Sequence, residues 1–196
     1  MITKRSKVLL TGLLFVICQL ASCPAGAQSF RIDTISDAVF QRMQGLSFPE
    51  HCTVSRQQLR HLHVLHRNAE DSVCQGELIC HERIADDLLD IFQQLYDAHY
   101  PIERIQLIDE YGADDEVSMS ANNTSCFCFR TVEGSNKLSK HAQGLAIDIN
   151  PLYNPCVRRR TDGSVHITPA AGKQYADRNR QSPYRLQRGE LCYRLV

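Results

Sequence analysis

The 196-residue sequence has no net charge, no tryptophan and only seven prolines. Its 22 basic side chains are balanced by 22 acidic ones. This excludes the basic excess by which a general nucleic-acid binder holds phosphates. Few prolines beside 43% apolar residues exclude a disordered chain, which could not bury enough surface to fold. There is no internal repeat and no low-complexity tract. Past the N-terminal stretch no apolar run reaches the length of a membrane span. No two cysteines stand at C-x-x-C spacing, so the usual ligand pattern of a structural zinc site is missing. What remains is a length suited to one domain with a sizeable core.

The first 27 residues read as an export signal. Lys4, Arg5 and Lys7 supply a positive head, and residues 8–20 form the apolar segment behind it. Two endings overlap: Ala25-Gly26-Ala27 offers small residues for ordinary cleavage, and Leu20-Ala21-Ser22-Cys23 resembles a lipobox that would place a lipid on Cys23. The expectation is an exported bacterial protein, either periplasmic or an outer-membrane lipoprotein, touching a membrane only through Cys23. The domain would then be residues 28–196, with 19 basic against 22 acidic residues and seven cysteines. In an oxidising compartment some of these would pair, and their odd number leaves at least one over.

Hydrophobic spacing predicts a short helix over residues 36–43 with Val39 and Phe40 inward. It then predicts a strand over 59–66, a polar turn at 68–71 and a second strand near 76–80. Ile84, Leu88, Ile91, Phe92, Leu95 and Tyr96 recur at three- and four-residue intervals, the stripe of an amphipathic helix that Pro101 would end. Further strands are expected over 102–108, 126–132 and 145–149, and a hairpin around His166. This order of elements gives an α+β class, a single compact domain with a small, mainly antiparallel sheet and flanking helices.

Chemistry concentrates in Ser139-Lys140-His141-Ala142-Gln143-Gly144-Leu145-Ala146-Ile147-Asp148. A carboxylate inside an apolar run is costly unless a cation or donors meet it. Gly144 permits a tight turn, so His141 and Asp148 could converge on one metal ion with a nitrogen–oxygen set that zinc accepts. Spacing alone leaves open a structural aspartate and an exposed histidine. His61, His63 and His66 also invite a metal reading, but on a strand the first two share one face and the third points away, so ordinary strand residues are expected. His166 is expected at an exposed hairpin position rather than as a ligand. Asp114-Asp115-Glu116 is expected to be a solvated run.

The motif Ser139-x-His141-x-x-Gly144-x-Ala146-x-Asp148-Ile149 resembles the signature of the zinc D-alanyl-D-alanine carboxypeptidase family, the VanY-type metallopeptidases. Tyr100-Pro101-Ile102-Glu103, Asn122-Asn123-Thr124-Ser125 and Asn150-Pro151 extend the resemblance over most of residues 60–155. It implies the family's fold, one zinc ion with His141 and Asp148 as ligands, and peptidoglycan stem peptides as substrate. It further implies substrate contacts from Ser139 and from an upstream arginine, for which Arg130 is the nearest candidate and a plain surface arginine the alternative. The family's third ligand, a histidine, and its catalytic acid belong to a tryptophan-containing segment. This chain has no tryptophan and ends at Val196, so the expectation is a truncated chain with an incomplete zinc site and no catalytic acid of its own. A monomer is expected. The rival readings are a non-catalytic envelope protein that binds cell-wall peptides and a cysteine-linked envelope protein in which His141 and Asp148 are structural.

Overall fold

The computed structural model describes residues 30–132 and 134–196. The proposed signal, with both of its endings, lies outside the described residues. The centre of the molecule is a three-stranded antiparallel sheet in the order β1 (Arg31–Thr34), β2 (Leu59–Arg67), β3 (Val73–His81). β2 and β3 form the expected hairpin, paired from Leu59 with His81 to Arg67 with Val73. Alternation sends Leu62 and Val64 to one face with Leu78 and Cys80, and Leu59 to the other with Ile79.

Helix α2 (Glu82–Asp97) covers the first face, laying Ala85, Leu88, Phe92 and Leu95 on it. His81 starts the helix: its Nδ1 accepts the Arg83 amide at 3.1 Å, satisfying one of the free donors of the first turn. Helix α1 (Asp37–Met43), capped by Ser36, belongs to the second face. There Val39 and Met43 are buried with Leu107, Phe127, Phe129 and Ala142, while Phe40 is only partly covered. Smaller elements follow: β4 (Arg104–Ile105) runs parallel to β5 (Asn123–Thr124), with α3 (Asp115–Ser120) between them in sequence. β6 (Cys156–Arg159) and β7 (Val165–Thr168) make the second hairpin, and α4 (Leu191–Leu195) closes the chain. The α+β class and the mainly antiparallel pairing are as the sequence predicts.

Of three further predicted strands, one is cut to two residues and two are not strands. Residues 102–108 pair only at Arg104 and Ile105, because the Asn123 side chain takes both the amide (2.8 Å) and the carbonyl (3.0 Å) of Gln106, and the chain then turns into a 3-10 turn at Ile108–Tyr111. Residues 126–129 are buried but bond to three different partners. The amides of Phe127, Cys128 and Phe129 donate to the carbonyls of Ile79, His141 and Ser47. Residues 145–149 are irregular, and Asp148 forms one isolated antiparallel bridge with Ser125. The polar run at 114–120, which the sequence leaves as loop or helix start, is helix α3: Asp114 caps it by accepting the Val117 amide at 3.0 Å.

All seven cysteines of the described residues are free thiols. Burial pushes the thiols of Cys80 and Cys128 up to about 12 and that of Cys192 to about 11, so each behaves as a packed apolar group. No helix among the described residues is long and apolar enough to cross a membrane.

Candidate metal and substrate site

The segment 125–130 is a cradle under the motif. On one edge the amides of Phe127 and Phe129 bind the sheet and the Ser47 loop. On the other edge Ser125 exchanges both backbone bonds with Asp148, Cys128 N donates to His141 O, and Arg130 O accepts from Ser139 N at 3.0 Å. The motif is therefore docked residue by residue. His141–Gln143 form one 3-10 turn, ended by Gly144 at φ 65. A Cβ on Gly144 would stand 2.7 Å from His81 N, so this position needs glycine both for its left-handed backbone and for close approach to β3. The contact is fastened by the His81 amide donating to Gly144 O at 2.9 Å.

His141 and Asp148 converge as their spacing predicts. Nδ1 of His141 lies 2.7 Å from the Cys126 carbonyl oxygen, which can only accept, so Nδ1 carries a proton and in the neutral ring the lone pair is on Nε2. That Nε2 is 3.3 Å from Asp148 Oδ2. Two zinc ligands at tetrahedral angles stand about 3.4 Å apart, given metal–ligand bonds near 2.1 Å. A backbone carbonyl behind a histidine ligand is also the usual orienting arrangement. This pair thus fits a zinc ion. Among the described residues no group of three His, Cys, Asp or Glu side chains is close enough to hold a metal ion.

Ser139 is buried, and its Oγ accepts the His141 amide at 3.2 Å, keeping its own proton for a further partner. Arg130 sits at the outer end of the cradle. Its Nη2 is 2.6 Å from Asp115 Oδ2, both side chains being about a quarter exposed. Asp115 is the residue the sequence reading missed. In Asp114-Asp115-Glu116 each carboxylate has a separate job: Asp114 caps α3, Asp115 meets Arg130, and Glu116 accepts the Ala170 amide. Burial raises the Asp115 carboxyl, Arg130 opposes that shift, and the charges of Asp148 and His141 also reach it. The only sequence signal for this was a carboxylate at the first position of a short helix.

Between α3 and the β6–β7 hairpin lies a groove of about 470 Å³, walled by Asp115, Arg130 and Thr131 and by Met119, His166 and Ile167. His166 is half-buried in that wall rather than exposed, because the hairpin folds back over α3. On the other side of Asp148 is a mainly apolar hollow of about 480 Å³, bounded by Ile147, Ile149, Leu186, Cys192 and Tyr193.

The histidines of β2 do not form a centre. His61 Nε2 is 2.8 Å from Glu77 Oε2, and His63 Nε2 is 3.2 Å from Asp33 Oδ2. On the opposite face His66 Nδ1 meets the Ile102 carbonyl at 2.7 Å. Each ring is a partnered strand residue, with His61 and His66 buried and His63 half-buried.

Residues 133–193, which carry Ser139, His141 and Asp148, match the family model of D-alanyl-D-alanine carboxypeptidase. The match supports the family read from the motif and, in general terms, a metallopeptidase of the D-alanyl-D-alanine carboxypeptidase type. It begins later than the resemblance read from the sequence and runs further, through the hairpin and into α4. No curated protein and no solved structure matches the chain.

Proposed function

We propose that this protein is an exported zinc metallopeptidase of the D-alanyl-D-alanine carboxypeptidase type directed at peptidoglycan stem peptides, its activity impaired because the described residues bring together two zinc ligands and no third. The observation that carries the proposal is the 3.3 Å approach of His141 Nε2 to Asp148 Oδ2, with Nδ1 already committed to Cys126 O. His141 and Asp148 would hold the zinc ion. When bound, zinc polarises a carbonyl oxygen and lowers the pKa of a bound water.

The chain's own residues supply the rest of what can be derived. Cys126 O keeps the imidazole in one tautomer and one orientation. The Ser139 hydroxyl holds the turn through the His141 amide and can donate its proton to a peptide carbonyl. Arg130 offers a planar fork of donors to a peptide carboxylate. The groove beside it is wide enough for a small amino-acid residue.

The test is hydrolysis of an N-acetylated tripeptide ending in D-Ala-D-Ala, with zinc content measured on the same sample. Slow zinc-dependent release of D-alanine, well below that of a complete three-ligand site and lost in Asp148→Asn, is the expected result. Peptide binding without hydrolysis at any zinc concentration would replace the peptidase reading with that of a cell-wall-peptide binder.

A further inference from the structure

Asp115 does something that neither the motif nor the family match assigns to it. An arginine side chain is long and loses much rotamer freedom when held in one pose, so a guanidinium that recognises a ligand needs a second residue to fix it. Asp115 Oδ2 takes one end of the Arg130 fork at 2.6 Å. Arg130 Nε, by contrast, is buried with no acceptor. A buried N–H without a partner costs free energy that an incoming acceptor would recover.

The placement is tied to the metal pair through the backbone. Arg130 O accepts Ser139 N, and Ser139 Oγ accepts His141 N, so two hydrogen bonds set how far the guanidinium stands from the imidazole. The charges of His141 and Asp148 reach Asp115 as well, which puts all four groups in one electrostatic neighbourhood. The groove that Asp115 and Arg130 border carries Met119 and Ile167 for apolar contact and Thr131 for hydrogen bonding.

We propose that Asp115 is a positioning residue that aims Arg130 into the groove between α3 and the β6–β7 hairpin, making it a carboxylate-selective subsite for the C-terminal residue of a peptide. The inference rests on the peptidase reading for the nature of the ligand. It adds that the Arg130 fork recognises that carboxylate only while Asp115 holds it in place.

Charge alone predicts the opposite effect of substitution. Asp115→Asn removes a negative charge next to an anion site, so simple electrostatics would strengthen carboxylate binding, whereas loss of positioning weakens it.

The experiment is calorimetric binding of an acetylated D-Ala-D-Ala peptide and of its C-terminal amide to chelator-treated protein, for wild type, Asp115→Asn and Arg130→Lys. The wild type should prefer the acid, and each variant should lose roughly tenfold of that preference, the size of one charge-assisted hydrogen bond. Arg130→Lys keeps the charge and removes the fork, so it tests the arginine, and Asp115→Glu, which keeps the charge and displaces the carboxylate, tests the positioning if Asp115→Asn fails to fold. No acid preference in the wild type, or an undiminished one in a folded Asp115→Asn, overturns the proposal. Protein that takes up no zinc yet keeps an Asp115-dependent preference retains the subsite and loses the peptidase reading. Zinc-dependent cleavage without acid preference does the reverse.

Discussion

The carbonyl oxygen of Cys126 stands 2.7 Å from Nδ1 of His141 and fixes the ring from behind. Because the contact is to backbone, it survives any change of the Cys126 side chain that leaves residues 125–130 in place. The local fold thus delivers an imidazole with Nε2 aimed at Asp148. The cradle exists because its amides are drawn to the sheet on one edge and to the motif on the other, which prevents a regular ladder on either side.

Gly144 is the closest point between motif and sheet. Gly144→Ala would put a methyl group 2.7 Å from His81 N and force a left-handed residue to carry a side chain. The expected loss is about 2–4 kcal/mol, from backbone strain and overpacking together. Thermal unfolding should show a clearly lowered midpoint, and zinc affinity should fall with it. An unchanged midpoint would mean that the turn relaxes without cost.

Ser139→Ala removes the hydroxyl that accepts the His141 amide. The expected destabilisation is about 1 kcal/mol, as for loss of a capping side chain. If Ser139 also donates to substrate, hydrolysis should fall beyond what the stability change explains. Parallel denaturant and peptidase measurements separate the two contributions.

Asn150, fully buried at φ 48, ties three segments together. Its Oδ1 accepts from Glu103 N at 3.1 Å and from Asn122 Nδ2 at 3.4 Å, and its Nδ2 donates to Pro101 O at 2.9 Å. Asn150→Ala leaves those groups unsatisfied and should cost about 3 kcal/mol. Urea unfolding monitored by circular dichroism would read it.

Away from the site, Glu77 links β3 to α1 and to the histidine of β2. Hydrogen bonds from His61 and Arg42 hold its carboxyl down at about 2 against the opposing effect of burial, from an ordinary value of 4.5. A depressed folded-state pKa stabilises the protein above about pH 4.5, and that stabilisation is lost as the pH falls toward 2. Glu77→Gln should therefore destabilise by about 2 kcal/mol at pH 7 and by little near pH 2, as loss of a charged hydrogen bond implies. Unfolding midpoints measured across that range would converge if this is right.

How much could be read in advance depended on where each residue's partners lie. The β2–β3 hairpin and α2 were legible because their contacts repeat at periods of two and three to four. The His141–Asp148 pair was legible because both residues lie on one short loop. Residues 102–108 and 126–132 misled because apolar, extended chain looks like strand, whereas their bonds go to the Asn123 side chain, the Ser47 loop and the motif turn. Asp115 was hidden for a related reason. Its partner, Arg130, is fifteen positions away, and three acidic residues in a row look solvated until the neighbouring chain is folded over them.

The most direct measurement is a zinc titration of the purified protein beside His141→Ala and Asp148→Asn, with bound metal counted per chain. The account predicts that the wild type takes up one zinc ion and that each variant loses at least about tenfold in affinity, since removing a ligand costs more than removing its orienting partner. Equal zinc uptake by all three proteins, or none by the wild type, would contradict it.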